Sequence, residues 1–267
     1  MRNNEGIFWG LVLVLLGGIL LLDNLGYLPA NINVWAIFWP LVLIILGLRG
    51  VMQAFRPRTA VSQEPLRLPL EDARRATVRV HFGAGELYID DRAANDELVN
   101  GTFGGGVEQN VRRGTDETVV DLRMPTQVIP VVWPDGVNGR TWTVGLNPTI
   151  PMALDLEVGA SSNRLNLRNL LISDLRLQTG ASSTEIEMPA RAGFTRAVVK
   201  SGAASVEVRI PEGVAARINA HGGLHGVSVD EMRFPRFGSE YRSPDYETAA
   251  NRLDIEFETG LGSVQVR

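Results

Sequence analysis

The sequence predicts an all-β, solenoid-like domain of stacked coils of about 20 residues, preceded by a two-helix transmembrane hairpin. Three observations predict it. Two long uncharged apolar runs stand within the first 50 residues. A glycine-containing corner recurs at near-equal intervals, as in "VGASSNRLNL", "TGASSTEIEM" and "SGAASVEVRI". On both sides of each corner, apolar and polar residues alternate.

The apolar runs are Gly6 to Leu22 and Val34 to Leu48. As a helix each would span roughly 25 Å, the short end of what a ~30 Å hydrocarbon core requires. Trp9, Tyr27, Trp35 and Trp39 lie near their ends, where amphipathic rings favour the headgroup layer. A cleaved signal peptide fits poorly, because no Ala-x-Ala site follows and a second apolar run does. Buried core helices would keep a polar stripe. Residues 1–54 therefore read as a hairpin with spans at about 6–22 and 33–48. Pro40 would kink the second span, and Gly10, Gly17 and Gly18 fit ordinary helix packing. Arg2 precedes the first span and Arg49, Arg56 and Arg58 follow the second, while Asp23 to Asn33 between them carries no basic residue. The positive-inside rule then puts both chain ends in the cytoplasm of a multi-pass inner-membrane protein.

Residues 55–75 contain Pro57, Pro65 and Pro69 without sustained periodicity and read as a linker. Residues 76–267 read as the β-repeat domain. Beyond residue 58 the chain holds 22 basic and 28 acidic residues, and Lys200 is its only lysine. An acidic domain is poorly suited to gripping nucleic acid or an anionic lipid surface. With no cysteine in the chain, disulfides, thiolate metal sites and cysteine nucleophiles are excluded.

The repeat corners fall at Gly159, Gly180, Gly202, Gly222 and Gly260, with a fainter pair upstream at Gly83 and Gly104. Leu253, Ile255 and Phe257 alternate with Asp254, Glu256 and Glu258, the period of strands with one buried face. Tight hairpins of a meander favour Asn-Gly or Asp-Gly, which these corners lack. Stacked parallel coils explain identical corners at equal intervals, because each glycine lies over the previous one. The corner serines would satisfy local backbone groups. The last residues, "SVQVR", read as a strand whose outer edge is open to self-association or to a partner's strand.

No motif carries catalysis. "GASS" lacks the Gly-x-Ser-x-Gly spacing of a nucleophile elbow. "FGGG" and "GAGE" lack the Lys-Ser/Thr of a phosphate loop. Asp90, Asp91, Asp96 and Glu97 lack the spacing of a calcium loop and read as a solvated turn. His221 and His225 are four apart, but "HGGLHG" cannot form a stable helix that would pair them on a metal. The expectation is a non-enzyme with no metal and no cofactor. One segment stands out as a partner surface: Glu231 to Ala250 interrupts the repeat and gathers Arg233, Phe234, Arg236, Phe237, Tyr241, Arg242 and Tyr246. Arginine and aromatic enrichment marks interface anchors, and equally a loop that folds its rings over the solenoid flank.

The hairpin "GIFWGLVLVLLGGILLLDNLGYLP" with "WAIFWPLVLIILGLRGV" resembles the transmembrane region shared by bacterial LiaI and LiaF proteins. "VRVHFGAGELYI" and "TWTVGLNPTIPMALDLEVGASSNRLNLRNLLI" resemble the toast-rack β-repeat domain of LiaF-type proteins. The resemblance implies a bacterial membrane component of the cell-envelope stress response. Its better-known relatives restrain a membrane histidine kinase that responds to wall-active antibiotics. The expected partners are the lipid bilayer, a membrane histidine kinase or another hairpin protein, and further copies of the chain. The alternatives are a membrane-tethered scaffold that polymerises end to end, and a carbohydrate-binding envelope protein, which would need the domain outside the cell.

Overall fold

A computed structural model describes residues 63–125 and 140–267, with the backbone alone at 221–225. The hairpin expected over residues 1–54 lies outside the described residues. Among the described residues no helix is long and apolar enough to cross a membrane. Their regular structure is entirely β: β1 (Gln63–Pro69), β2 (Arg75–Asp90), β3 (Glu97–Gly104), β4 (Glu108–Arg113), β5 (Glu117–Arg123), β6 (Thr141–Leu146), β7 (Pro151–Asn166), β8 (Leu171–Glu187), β9 (Phe194–Arg209), β10 (Ala215–Val229), β11 (Arg236–Phe237), β12 (Glu240–Arg242) and β13 (Arg252–Val266).

The long strands are bent. β7 and β8 run parallel and paired from Pro151–Leu171 at one end to Asn166–Glu187 at the other. A straight strand of 16 residues would measure about 50 Å. The connection from Asn166 to Leu171 can reach no more than about 18 Å. The chain must therefore double back within β7, and its ladder to β8 breaks at Gly159 and Ala160, dividing the strand into an entry arm and an exit arm. Leu154, Leu156 and Val158 of the entry arm and Leu165 of the exit arm belong to one core, joined by Leu167 and Leu170 of the return turn. The period-two apolar pattern is thus folded onto itself, and each fully buried Leu or Val contributes about 1.5–3 kcal/mol of transfer free energy.

Successive bent strands stack in the order β2-β7-β8-β9-β13-β10, all parallel. At the β2 end the next coil is split between two strands. β5 lines the entry arm of β2 from Arg75–Glu117 to His81–Arg123, and β6 lines its exit arm from Glu86–Thr141 to Asp90–Gly145. Antiparallel strands continue outward, β4 on β5, β3 on β6 and β1 on β3. Trp142 of β6 is fully buried at this junction, with ring centroids 5.3 Å from Phe82 and 4.8 Å from Phe103. At the far end β12 pairs with β10 only from Arg217 to Asn219, and β11 pairs with β12.

Four expectations are corrected. Part of the stretch read as a linker is β1, an edge strand, where Pro65 and Pro69 are tolerated because one side of the ladder needs no donors. Gly104 ends β3 opposite Gln63 and takes no part in the corner column, because β3 is antiparallel to both its neighbours. Gly222 pairs with Thr259 and Leu224 with Leu261, which sets Gly223, not Gly222, beside Gly260. The doubled glycine hides this one-residue phase in the sequence. Finally, β13 is not an open end. It lies between β9 and β10 and pairs with both along its length.

Candidate interaction surfaces

Gly83, Gly159, Gly180, Gly202 and Gly260 form one column across five strands. Its tightness explains the residue type. A methyl group on Gly159 would collide with the carbonyl oxygen of Gly83, and one on Gly260 would sit 2.8 Å from that of Gly202. The same test at Gly180 and Gly202 gives 3.2 and 3.3 Å to the preceding glycine oxygen. Where side chains are missing, the surface sinks into a shallow open trough of about 470 Å³. Its floor includes Gly159, Gly180 and Gly202, and one wall is the polar row Glu157, Gln178, Lys200 and Glu258. The corner hydroxyls were expected to serve the backbone, but several bond to one another instead. Thr179 Oγ1 donates to Ser182 Oγ at 2.6 Å, Ser182 and Thr184 share a 3.3 Å contact, and Ser205 and Ser263 share a 3.2 Å contact across coils.

The outer face of the entry arms is laid out in rows of alternating charge. One row reads Asp121, Arg79, Asp155, Arg176, and a second reads Asp174, Arg196, Asp254, Arg217. A third row, Arg123, His81, Glu157, Gln178, Lys200, Glu258, alternates only in part, because His81 follows Arg123 and Gln178 is neutral. His81 Nδ1 lies 2.9 Å from Glu157 Oε2 and Lys200 Nζ lies 2.8 Å from Glu258 Oε2. Arg217 holds Asp254 with both a 3.2 Å and a 2.6 Å hydrogen bond, and this pairing raises its guanidinium pKa. Hydrogen bonds from Arg123 keep the buried Asp121 carboxyl below the usual carboxylate range, although desolvation opposes them. Opposed charges across a strand pair contribute about 0.2–1 kcal/mol each, so their main effect is to fix register.

The segment Glu231 to Ala250 divides its expected partner residues between two roles. Phe234 and Tyr246 are buried, and Tyr241 packs against the core. Arg233 donates to the carbonyl oxygens of Ile210 and Pro211 at 2.8 and 3.1 Å, which ties the segment to the turn before β10. The Arg217 guanidinium lies 5.3 Å from the Tyr246 ring centroid, and the buried phenol has its pKa raised by desolvation. This half of the segment covers the entry arm of β10. Phe237 is half exposed, Met232 almost wholly so, and Arg236 and Arg242 lie over the rings of Tyr241 and Phe237. The structure therefore brings the seven residues into one flank but leaves only part of them open to a partner.

The acidic cluster is a bonded turn. Asp90 pairs with Arg92, Asp91 accepts from Asn169 Nδ2 at 2.7 Å, and Glu97 accepts from Asn100 Nδ2 at 2.7 Å. Asn100 and the Ala94 amide hold Glu97 below its ordinary pKa. Asn147, which the sequence reading missed, is completely buried and donates to the carbonyls of Ala94, Asn95 and Glu97. Its only sequence signal was its place in "LNPT", where Asn starts a turn. Among the described residues no group of three or more His, Cys, Asp or Glu side chains is arranged to hold a metal ion. The side chains of His221 and His225 fall outside that description.

The bent strands, stacked side by side and parallel, form a β-solenoid-like rack. The sequence agrees: residues 57–209 match the family described as the N-terminal domain of toast_rack, DUF2154, and the chain belongs to it. Residues 7–51 match the LiaI-LiaF-like transmembrane region, which marks the chain as a membrane protein. No curated protein matches it. Among solved structures it is similar to a protein described as a cell adhesion protein from Clostridium sporogenes, with a TM-score of 0.70 and 18% identity over 77% of this chain and 98% of that one. That likeness shows the fold alone. A protein described as an adhesin from Bacteroides fragilis aligns with a TM-score of 0.31 and 7% identity, over 77% of this chain and 97% of that one, too low to carry an argument.

Proposed function

We propose that this chain is a non-enzymatic, membrane-anchored regulator of the cell-envelope stress response, whose β-domain docks on a membrane sensor kinase from the cytoplasmic side. The observation that carries the reading is the joining, in one chain, of a LiaI-LiaF-like transmembrane region at residues 7–51 to a toast-rack domain. Anchoring confines the domain to the membrane surface, which raises its effective concentration toward a membrane partner without any new contact. Arg2, Arg49, Arg56 and Arg58 support the cytoplasmic orientation. The docking contact falls on the open part of the flank, Arg236 and Phe237 with Met232, because interface anchors are arginines and large apolar groups that are free to be buried.

The test has two arms. A green fluorescent reporter fused after Arg267 is expected to fluoresce, and a phosphatase in the same place to stay inactive; an active phosphatase overturns the cytoplasmic reading. Arg236→Glu is expected to lower kinase capture by the full chain at least tenfold with an unchanged melting temperature. Undiminished capture removes the docking assignment.

A further inference from the structure

The two ends of the rack are guarded differently. At one end the edge strands are β1 and β4. β1 carries Pro65 and Pro69, which remove donors, and β4 exposes Glu108, Arg112 and Arg113. These are the devices by which natural sheets refuse edge pairing. At the other end the outermost coil is β10, and its halves differ. The entry arm is covered by β12 and by the segment that buries Phe234, so Ala216 and Ile218 are fully buried. The exit arm, Leu224–Val229, pairs with β13 on one side and with nothing among the described residues on the other. Val264 and Val266 of β13 are buried, yet their neighbours in β10, Val227 and Val229, are only half-buried. The core is thus open at this edge, and Gly226 to Val229 offers no charge and no proline to protect it.

We infer that the exit arm of β10 is a pairing edge for a second copy of the chain, which adds its own β10 antiparallel about a two-fold axis. The occupant follows from the edge itself. An uncharged segment laid antiparallel on its own copy opposes no like charges, and with the axis at Ser228 each half-covered valine, Val227 or Val229, meets the other valine of the second copy. A contact of this kind uses the same patch on both partners and closes at two. Head-to-tail stacking would instead set this edge against the proline-bearing β1 or the charged β4. Tethering to one membrane favours the pairing, because both copies share a surface.

The test uses the full-length chain in lipid nanodiscs and in detergent. The chain has no cysteine, so Ser228→Cys provides a single spin-label site on the exposed side of β10. Two labels are expected within roughly 20 Å, allowing four residues of offset along the strand plus one strand spacing. Gly226→Lys with Ser228→Lys sets like charges across the axis and is expected to reduce the dimer to monomer by light scattering in detergent. Gln265→Lys, an exposed change on the interior strand β13, is expected to leave it dimeric. Monomer at every concentration overturns the inference, as do open-ended oligomers. A dimer that survives the double-lysine change, or whose labels lie farther apart, also overturns it, because association then runs through another surface.

Discussion

At the corner glycines a single hydrogen decides how closely two coils can stack. The clearance differs along the column, and so should the cost of adding a methyl group. Gly159→Ala drives a Cβ into the Gly83 carbonyl, which belongs to a backbone that cannot swing aside. Overpacking of this kind costs about 1–3 kcal/mol, and the upper half of that range is expected here. Gly202→Ala leaves 3.3 Å to the Gly180 oxygen and is expected to cost less than about 1 kcal/mol. Hydrogen exchange of the β7, β8 and β9 amides in the detergent-solubilised chain measures both. Equal loss of protection in the two variants would show that close stacking is not what selects glycine. The column was legible in the sequence because its spacing is regular and its neighbours are small. The phase at Gly222 and Gly223 was not, since either glycine fits the pattern and only the pairing of Leu224 with Leu261 separates them. Asn147 escaped for a related reason: its three carbonyl partners lie about 50 residues upstream, beyond the reach of any local pattern.

For the strands, the feature that the sequence concealed is the insertion of β13 between β9 and β10. Alternation and spacing identify strands but say nothing of their order, and chain order would have set β10 on β9. The charge rows favour the inserted order. The register of the observed pairs puts Arg196 and Arg217 on the two sides of Asp254. Remove β13, and the same register brings the two guanidinium groups together, a like-charge opposition that destabilises the pairing. Asp254→Ala should therefore cost more than a half-exposed ion pair normally does, about 1–2 kcal/mol, because it also leaves Arg217 without its two hydrogen bonds. The loss should shrink in 1 M salt, where the Debye length falls to about 3 Å. Urea midpoints at low and high salt give the comparison, and a variant as stable as its parent at low salt would remove the charge argument. The Glu231 to Ala250 segment teaches the same lesson about legibility. Its arginines and aromatic rings were visible at once, but which of them fold inward depends on a flank that only the inserted β13 creates.

At the scale of the whole β-domain, the inserted strand couples coils that chain order would keep apart. In a solenoid stacked in chain order, the final coil contacts only its predecessor, and losing it strips one layer. Here the final strand is interior, and it joins partners far away in sequence: Ala203 pairs with Leu261, and Leu261 with Leu224. Ending the chain after Asn251 removes Arg252 to Arg267 and leaves β10 with no long neighbour, only the three residues of β12. Its return to β9 would meet the Arg196–Arg217 opposition. Hydrogen exchange on this truncated chain is therefore expected to show β10 unprotected and β9 weakened, while β2 and β7 keep their protection, since those coils pair with one another and with β5, β6 and β8. Full protection of β10 in the truncated chain would mean that it docks on β9 directly and that order in the rack is set by connection length rather than by charge. The same topology makes the coils of β9 and β10 depend on β13 for completion. Closing long loops is entropically costly before non-local contacts reward it, so the C-terminal coils should acquire protection later than β7 and β8, whose strands are joined by a four-residue turn.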